Sequence, residues 1–179
     1  MKIFTTFAVV ALLTFVSLAQ EVPSEPEFAD VFFLLDAGKL VPLERETTTF
    51  QTKVHGFIAM SMKSSSEIAG AKSPIRFRSD RTLDFVVRSA LVKTAVDPST
   101  QYFIWKLNSN KKARELVVMV GHASPVGATV SNNPSPGGLP VTFTRYGASS
   151  LRMTAGLLAP GEYALGRPFA QTVFCFGID

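Results

Sequence analysis

The chain has 179 residues, 46% hydrophobic and 18% charged, with 12 Gly, 11 Pro and one Cys. That balance excludes collagen-like, disordered and coiled-coil proteins. One Cys excludes an intramolecular disulfide, and two His leave no ligand set for an ordinary zinc site. The formal net charge of +4 falls by one without residues 1–19, whose only charge is Lys2, so the surplus is too small to suggest a nucleic-acid partner.

Lys2, the uncharged run Ile3–Val16 and the small residues Ser17 and Ala19 predict a signal peptide over 1–19, cleaved before Gln20. A retained anchor is the alternative, because Ile3–Ala19 is near the lower length for a spanning helix. No later stretch is long and apolar enough to cross a bilayer. The protein is therefore expected to be secreted or periplasmic, with no transmembrane segment after signal cleavage. Residues 20–27 (QEVPSEPE) read as a flexible acidic leader, and 28–179 as one domain.

Period-2 alternation dominates the rest. Val31–Leu35 and Leu40–Leu43 flank the hairpin turn Asp36-Ala37-Gly38-Lys39. Val54, Gly56, Ile58, Met60 and Met62 fall on one side of a single long run. Ser64–Gly70 (SSSEIAG) reads as a helical turn or a loop. Ile75 and Phe77 alternate with Arg76 and Arg78, and Leu83, Phe85 and Val87 with Asp84, Val86 and Arg88. Phe103, Trp105 and Leu107 share a face before the turn at Asn108–Lys111 and the run Leu116–Val120. Gly121–Pro140, with four Pro and four Gly, reads as a long functional or mobile loop, Ala128–Val130 being its one candidate strand. Val141 to Met153 alternates again, Pro160-Gly161 makes a turn, and the closing run is apolar on both faces, as in a strand covered on two sides. About ten short strands without a sustained helical period predict an all-β domain, a single antiparallel β-sandwich with a barrel as the alternative.

The signal peptide, Leu34-Leu35-Asp36 through Val41-Pro42-Leu43-Glu44, the stretch Leu158–Leu165 (LAPGEYAL) and the ending Phe174–Asp179 (FCFGID) together resemble exported bacterial β-sandwich-like proteins of uncharacterised function. These pieces cover under a fifth of the chain. The resemblance implies a fold and carries no activity or site residues.

Charge is unevenly distributed. Glu21–Glu46 holds seven acids against Lys39 and Arg45, whereas Lys72–Lys93 holds six bases against Asp80 and Asp84. With Ile75 and Phe77 turned inward, Arg76 and Arg78 point out together, as does Arg88 on the next run. Were those runs neighbours, three guanidiniums would share a face suited to an anionic glycan, lipid surface or acidic protein partner. The alternative is a solvated face paired with the acidic N-terminal segment.

Other constellations are weaker. His122 and Ser124 in the 121–140 loop invite a hydrolase reading, with His55 as the other candidate base, but no Gly-x-Ser-x-Gly surrounds Ser124. Glu44 and Glu46 share a strand face without further support for a glycosidase pair. Phe57, Tyr102, Trp105, Tyr146 and Tyr163 are candidates for a sugar-stacking platform, although Phe103 and Trp105 have the spacing of core residues. Cys175, flanked by Phe174 and Phe176, reads as a buried inert thiol. No metal or cofactor motif is present, so no cofactor and no catalytic residue are assigned. The expectation is an exported non-catalytic binding or structural module of the bacterial envelope, with Arg76, Arg78 and Arg88 as binding residues and His122 and Ser124 as loop candidates; the alternative is a small secreted hydrolase using the 121–140 loop, with His122 or His55 as base.

Overall fold

The computed structural model describes residues 24–56, 60–124, 127–132 and 138–179; the expected signal peptide and the first part of the leader lie outside the described residues. Fourteen strands occur among them. They are β1 (Phe32–Asp36), β2 (Lys39–Pro42), β3 (Glu44–Thr47), β4 (Thr49–His55), β5 (Met60–Ala69), β6 (Arg76–Phe77) and β7 (Leu83–Arg88) in the first half. β8 (Phe103–Ser109), β9 (Ala113–Ser124), β10 (Gly127–Asn132), β11 (Val141–Tyr146), β12 (Ser150–Ala155), β13 (Gly161–Gly166) and β14 (Thr172–Ile178) follow. Two short 3-10 turns, Ala90–Lys93 and Pro98–Thr100, lie between β7 and β8. No helix among the described residues is long and apolar enough to cross a membrane.

The strands make two sheets. One has the order β11-β12-β7-β1-β2; the other runs β3-β14-β13-β8-β9-β5-β4, with β10 added to β9 and β6 to β14. All strand pairings are antiparallel except that of the two-residue β6 with β14. The all-β, sandwich-like architecture expected from alternation is present. The barrel alternative is not, since neither sheet closes among the described residues.

The larger sheet is nevertheless strongly curled, for a reason legible in its order. Its terminal strands β3 and β4 are consecutive pieces of chain separated by Thr48 alone. The sheet must bend until its two ends meet there, and Thr48 N–H donates to the Gln171 carbonyl at 2.8 Å to fix the meeting point. This curl gives the sheet two buried faces. Between the sheets, Phe32, Leu34, Phe85, Val87 and Met153 meet Ile104, Tyr163, Leu165, Phe174 and Phe176. The Phe176 ring lies 5.2 Å from Phe85 and 5.4 Å from Tyr163. Inside the curl, Ile68, Leu107, Ala164, Val173 and Cys175 form a second cluster with Leu116. β14 separates the two, which is why its run is apolar at both parities.

Several local expectations are corrected. The turn at Ala37 (φ 48°) and Gly38 (φ 78°) does close the β1–β2 hairpin, as its sequence predicts. The single long run through Val54 and Met62 is instead two strands, β4 and β5, paired through Val54↔Met62. SSSEIAG is neither helix nor loop: β5 has partners on both sides, Ser64 is fully buried, and its hydroxyl meets Thr52 Oγ1 at 2.9 Å. Tertiary pairing here overrides weak local propensity. Within the expected 121–140 loop, most of the described residues are strand, 121–124 ending β9 and 127–132 forming β10; residues 125–126 and 133–137 lie outside the described residues. The described part of the leader is tied down rather than free. Glu25 accepts from Ala148 N–H, Ser149 N–H and the hydroxyls of Ser149 and Ser150 at 2.6–3.0 Å. Burial pushes its carboxyl up, but those hydrogen bonds outweigh it and bring the pKa down to about 2.

Candidate functional site

The three arginines singled out in the sequence do not share a face. Arg76 and Arg78 flank the end of β14, through β6, in the larger sheet; Arg88 ends β7 in the smaller one, whose neighbours are β1 and β12. The premise that the two runs are adjacent is therefore corrected. Arg76 is also matched internally, bonding Glu162 Oε1 at 2.7 Å and Asp179 Oδ1 at 2.7 Å. Arg78 pairs with Asp80 at 2.8 Å, and Arg88 donates to Ser149 Oγ and the Glu27 carbonyl. Arg76 and Arg78 do line an open cleft of about 550 Å³, but Asp36 and Asp80 line it with them and Asp36 is paired with Arg81.

His122 and Ser124 sit on the outer part of β9, where β4, β5, β9 and β10 form a four-stranded arm. Register places His55, Ser61, His122 and Thr129 in one row across that arm. Both imidazoles are exposed, and His122 is two strands away from His55. Ser124 donates to the Gly127 carbonyl within the β9–β10 hairpin. Among the described residues neither His makes a hydrogen bond to Ser or to an acid, which is the contact a hydrolase site needs. No group of three or more His, Cys, Asp or Glu is placed to hold a metal among them either.

A buried charge cluster lies inside the curl; its acids Glu44 and Glu46 share a strand face as their spacing predicts, but nothing local in the sequence announces Arg114 as their partner. Arg114, only 1% exposed, bonds Glu44 through both terminal nitrogens at 2.6 and 3.2 Å, and donates to the carbonyls of Ala69 and Gly70. Glu46 lies on the same face of β3 as Glu44. Burial pushes Glu44 up, but Arg114 outweighs it and holds the carboxyl below its ordinary range. At Glu46 burial and the Glu44 charge act together, and its carboxyl is raised. These groups largely satisfy one another.

A better candidate lies where the sandwich opens beside β3 and the end of β13. A cleft of about 400 Å³ is lined by Asp30, Phe32, Arg45, Tyr102, Arg167 and Phe174, among others. β14 positions Arg45: it is paired with Phe174, which faces the core, so the Arg45 side chain projects from the same face at the sheet's edge. Arg45 is exposed and has no carboxylate within ion-pairing distance among the described residues. Arg167 follows β13, with its guanidinium carbon 5.2 Å from the centre of the Tyr102 ring and Nη2 3.3 Å from Asp30 Oδ1.

A hydrogen-bond chain holds the floor of this cleft. The Tyr102 hydroxyl donates to Asp30 Oδ1 at 2.5 Å, and its single proton is thereby committed. Ser89 Oγ, 2.8 Å from the phenol oxygen, is then the donor of that pair while accepting from Leu91 N–H. Burial, followed by the Asp30 contact, pushes the phenol above its ordinary pKa, so it remains a donor at neutral pH. Asp30 has φ 60°, a left-handed conformation that Asp tolerates better than most residues. Arg45 and Arg167 against Asp30 leave the cleft with a positive excess, fixed by a pre-organised network. That arrangement suits a carboxylate, sulfate or phosphate.

Behind the cleft is the mouth of the curled sheet, a small chamber of about 20 Å³ among Ile68, Trp105, Leu107, Leu116, Val173 and Phe169. Arg167 and Ala170 line both spaces. Trp105 is buried, as its strand spacing predicts, yet its Nε1–H finds no acceptor among the described residues. No family model matches this chain, and no curated protein and no solved structure is detectably similar to it.

Proposed function

We propose that the protein is an exported, non-catalytic binding module of the bacterial envelope that takes an anionic group between Arg45 and Arg167. The N-terminal pattern of Lys2, an uncharged run and Ser17/Ala19 supports export. The single observation that carries the binding reading is Arg45, an exposed guanidinium without a carboxylate partner among the described residues, lining one cleft together with a second guanidinium, Arg167. This reading keeps the anionic class of ligand expected from the sequence and moves it away from Arg76, Arg78 and Arg88.

The test is a thermal-shift and calorimetric series with small carboxylates, phosphates and sulfated or uronic-acid oligosaccharides, set against neutral sugars. Anions should raise Tm in a salt-sensitive way, and Arg45→Ala should abolish the rise. An equal response to neutral sugars, or an unchanged response in Arg45→Ala, rejects the cleft as the site. An Arg78→Ala variant, altering an exposed arginine outside the cleft, should respond as the parent does.

A further inference from the structure

We infer that the cleft and the chamber behind it form one site for an anionic amphiphile, with the head group between Arg45 and Arg167 and an alkyl chain running beneath Phe169 into the curled sheet. The inference rests on the anion-binding reading above and adds the chain to it.

Three observations point to this class of ligand. First, the polar and apolar spaces are contiguous. Arg167 and Ala170 belong to both, and a side chain added at Gly166, which lines the cleft, would start 3.5 Å from Val173 Cγ1 and 3.8 Å from Trp105 Cζ3 in the chamber. Charge complementarity therefore places an anionic head next to an apolar interior. Second, Phe169 stands at the mouth with φ 60°, uncommon for an aromatic residue, and 70% of its surface is exposed. A chain lying under this ring would cover apolar surface that water now contacts. The ring sits in a short segment held by Ala170 N–H to the Arg167 carbonyl at 3.2 Å and by the Thr48 hydroxyl to the Ala170 carbonyl at 3.2 Å. Few bonds restrain its movement. Third, the Trp105 indole N–H is buried without an acceptor among the described residues, and buried donors are rarely left so. It offers one hydrogen bond to a carbonyl or hydroxyl on the ligand's chain.

The chamber as it stands has room for about one water molecule, so entry of a chain requires Phe169 to swing outward. Trp105 is the only Trp in the sequence, so indole fluorescence, excited selectively over the three Tyr, reports from the chamber.

The experiment titrates the purified protein with decanoate, acetate and decanol below their aggregation limits, following Trp105 fluorescence and calorimetric affinity. Decanoate should bind at least about tenfold more tightly than acetate, since burying two methylenes is enough for that, and should shift the Trp105 emission. Arg45→Ala should weaken both anions. Phe169→Asn, whose new residue tolerates the left-handed backbone, should bring decanoate towards the affinity of acetate. Equal affinities for decanoate and acetate overturn the chain and leave the anion cleft standing. Decanol binding as tightly as decanoate overturns the amphiphile, because the head is then not read. No binding of either anion overturns both readings. Phosphatidylglycerol vesicles form the last arm: vesicles that compete with decanoate assign the shared chemistry to a membrane lipid, and vesicles that do not compete assign it to a free amphiphile.

Discussion

Replacing Arg114 with Met tests whether the curled sheet is held by its interior ion pair. Arg114 is buried at 1% exposure and Glu44 at 13%, and the guanidinium makes two bonds to Glu44 and one each to the carbonyls of Gly70 and Ala69. Met matches the stem but removes every donor. Glu44 is left as a charged carboxylate in a largely dry interior, beside a second acid, Glu46. Breaking one side of such a pair costs about 3–5 kcal/mol. For a domain of this size each kcal/mol moves Tm by roughly 2–4 °C, so a fall of about 10 °C is expected.

The assay is urea and thermal unfolding of the parent, Arg114→Met, Glu44→Gln and the double variant at pH 7. The double variant should recover much of the loss, because a neutral pair no longer leaves a stranded charge, and the coupling should exceed about 1 kcal/mol. A fall of less than about 1 kcal/mol in Arg114→Met, or simple additivity of the two changes, refutes the reasoning. Either result would mean that water reaches Glu44 or that the sheet relaxes to solvate it.

The other stability predictions probe different parts of the fold. Glu25→Ala should cost about 1 kcal/mol at pH 7, a value discounted for the carboxyl's partial exposure. Because the folded pKa is depressed to about 2 from 4.5, the gap between parent and variant should be full above pH 4.5 and close as the pH falls towards 2 in acid unfolding curves. Glu46→Gln should act with the opposite sign: its carboxyl is raised, so its ionisation costs stability as pH increases, and the variant should gain Tm at pH 7 but not below pH 4. Gly177→Ala should lose about 1–3 kcal/mol in urea, since the new Cβ lies 2.6 Å from Arg76 Cζ and displaces the guanidinium from Glu162; the loss should shrink in an Arg76→Ala background. Cys175, with its thiol pushed up to about 12 by burial, should resist iodoacetamide at pH 8, where about one thiol in ten thousand is ionised, and should label on unfolding in urea.

Alternation made much of the fold legible. It marked Leu83, Phe85 and Val87 of β7 and Trp105 and Leu107 of β8 as core-facing while passing over the equally buried Val86 and Ile104, and the double apolar parity of Val173–Ile178 correctly marks a strand covered on both sides. Alternation reports faces and not neighbours, and the arginine trio depended on neighbours. Arg76 and Arg88 are 12 residues apart in sequence yet lie in different sheets, because β6 joins β14 across the whole domain. SSSEIAG and Gly121–Pro140 misled for another reason. Their small polar residues carry weak strand propensity alone and become strands only when β4, β5, β9 and β10 satisfy one another's backbone.

The alternative of the basic run pairing with the acidic N-terminal segment is met by one ion pair, Arg81 with Asp36; the other two acids of that segment that pair find bases elsewhere in the chain. Asp30, Asp36 and Glu44 from the acidic segment meet Arg167, Arg81 and Arg114. Once those acids are placed, both bases of the same segment, Lys39 and Arg45, are left without an ion pair among the described residues, and Arg45 is the one that lines the cleft. It cannot reach Glu44 as a partner, because neighbouring strand residues point to opposite faces and Arg114 approaches Glu44 from inside the curl. The cleft is therefore a by-product of the same alternation: β3 sends Glu44 and Glu46 inward to Arg114 and sends Arg45 out beside Phe174. No local motif could announce this. Asp30, Arg45, Tyr102 and Arg167 come from four separate segments, and only Tyr102 is a candidate binding residue on sequence grounds, as one of the aromatics of a sugar-stacking set. What joins them is the bend at Thr48, which places β3 against β14 and the loop after β13 over the chamber mouth. A substitution that straightens that bend, such as Thr48→Pro, removes the N–H that bonds Gln171 and should loosen the Arg45 side of the cleft together with the chamber.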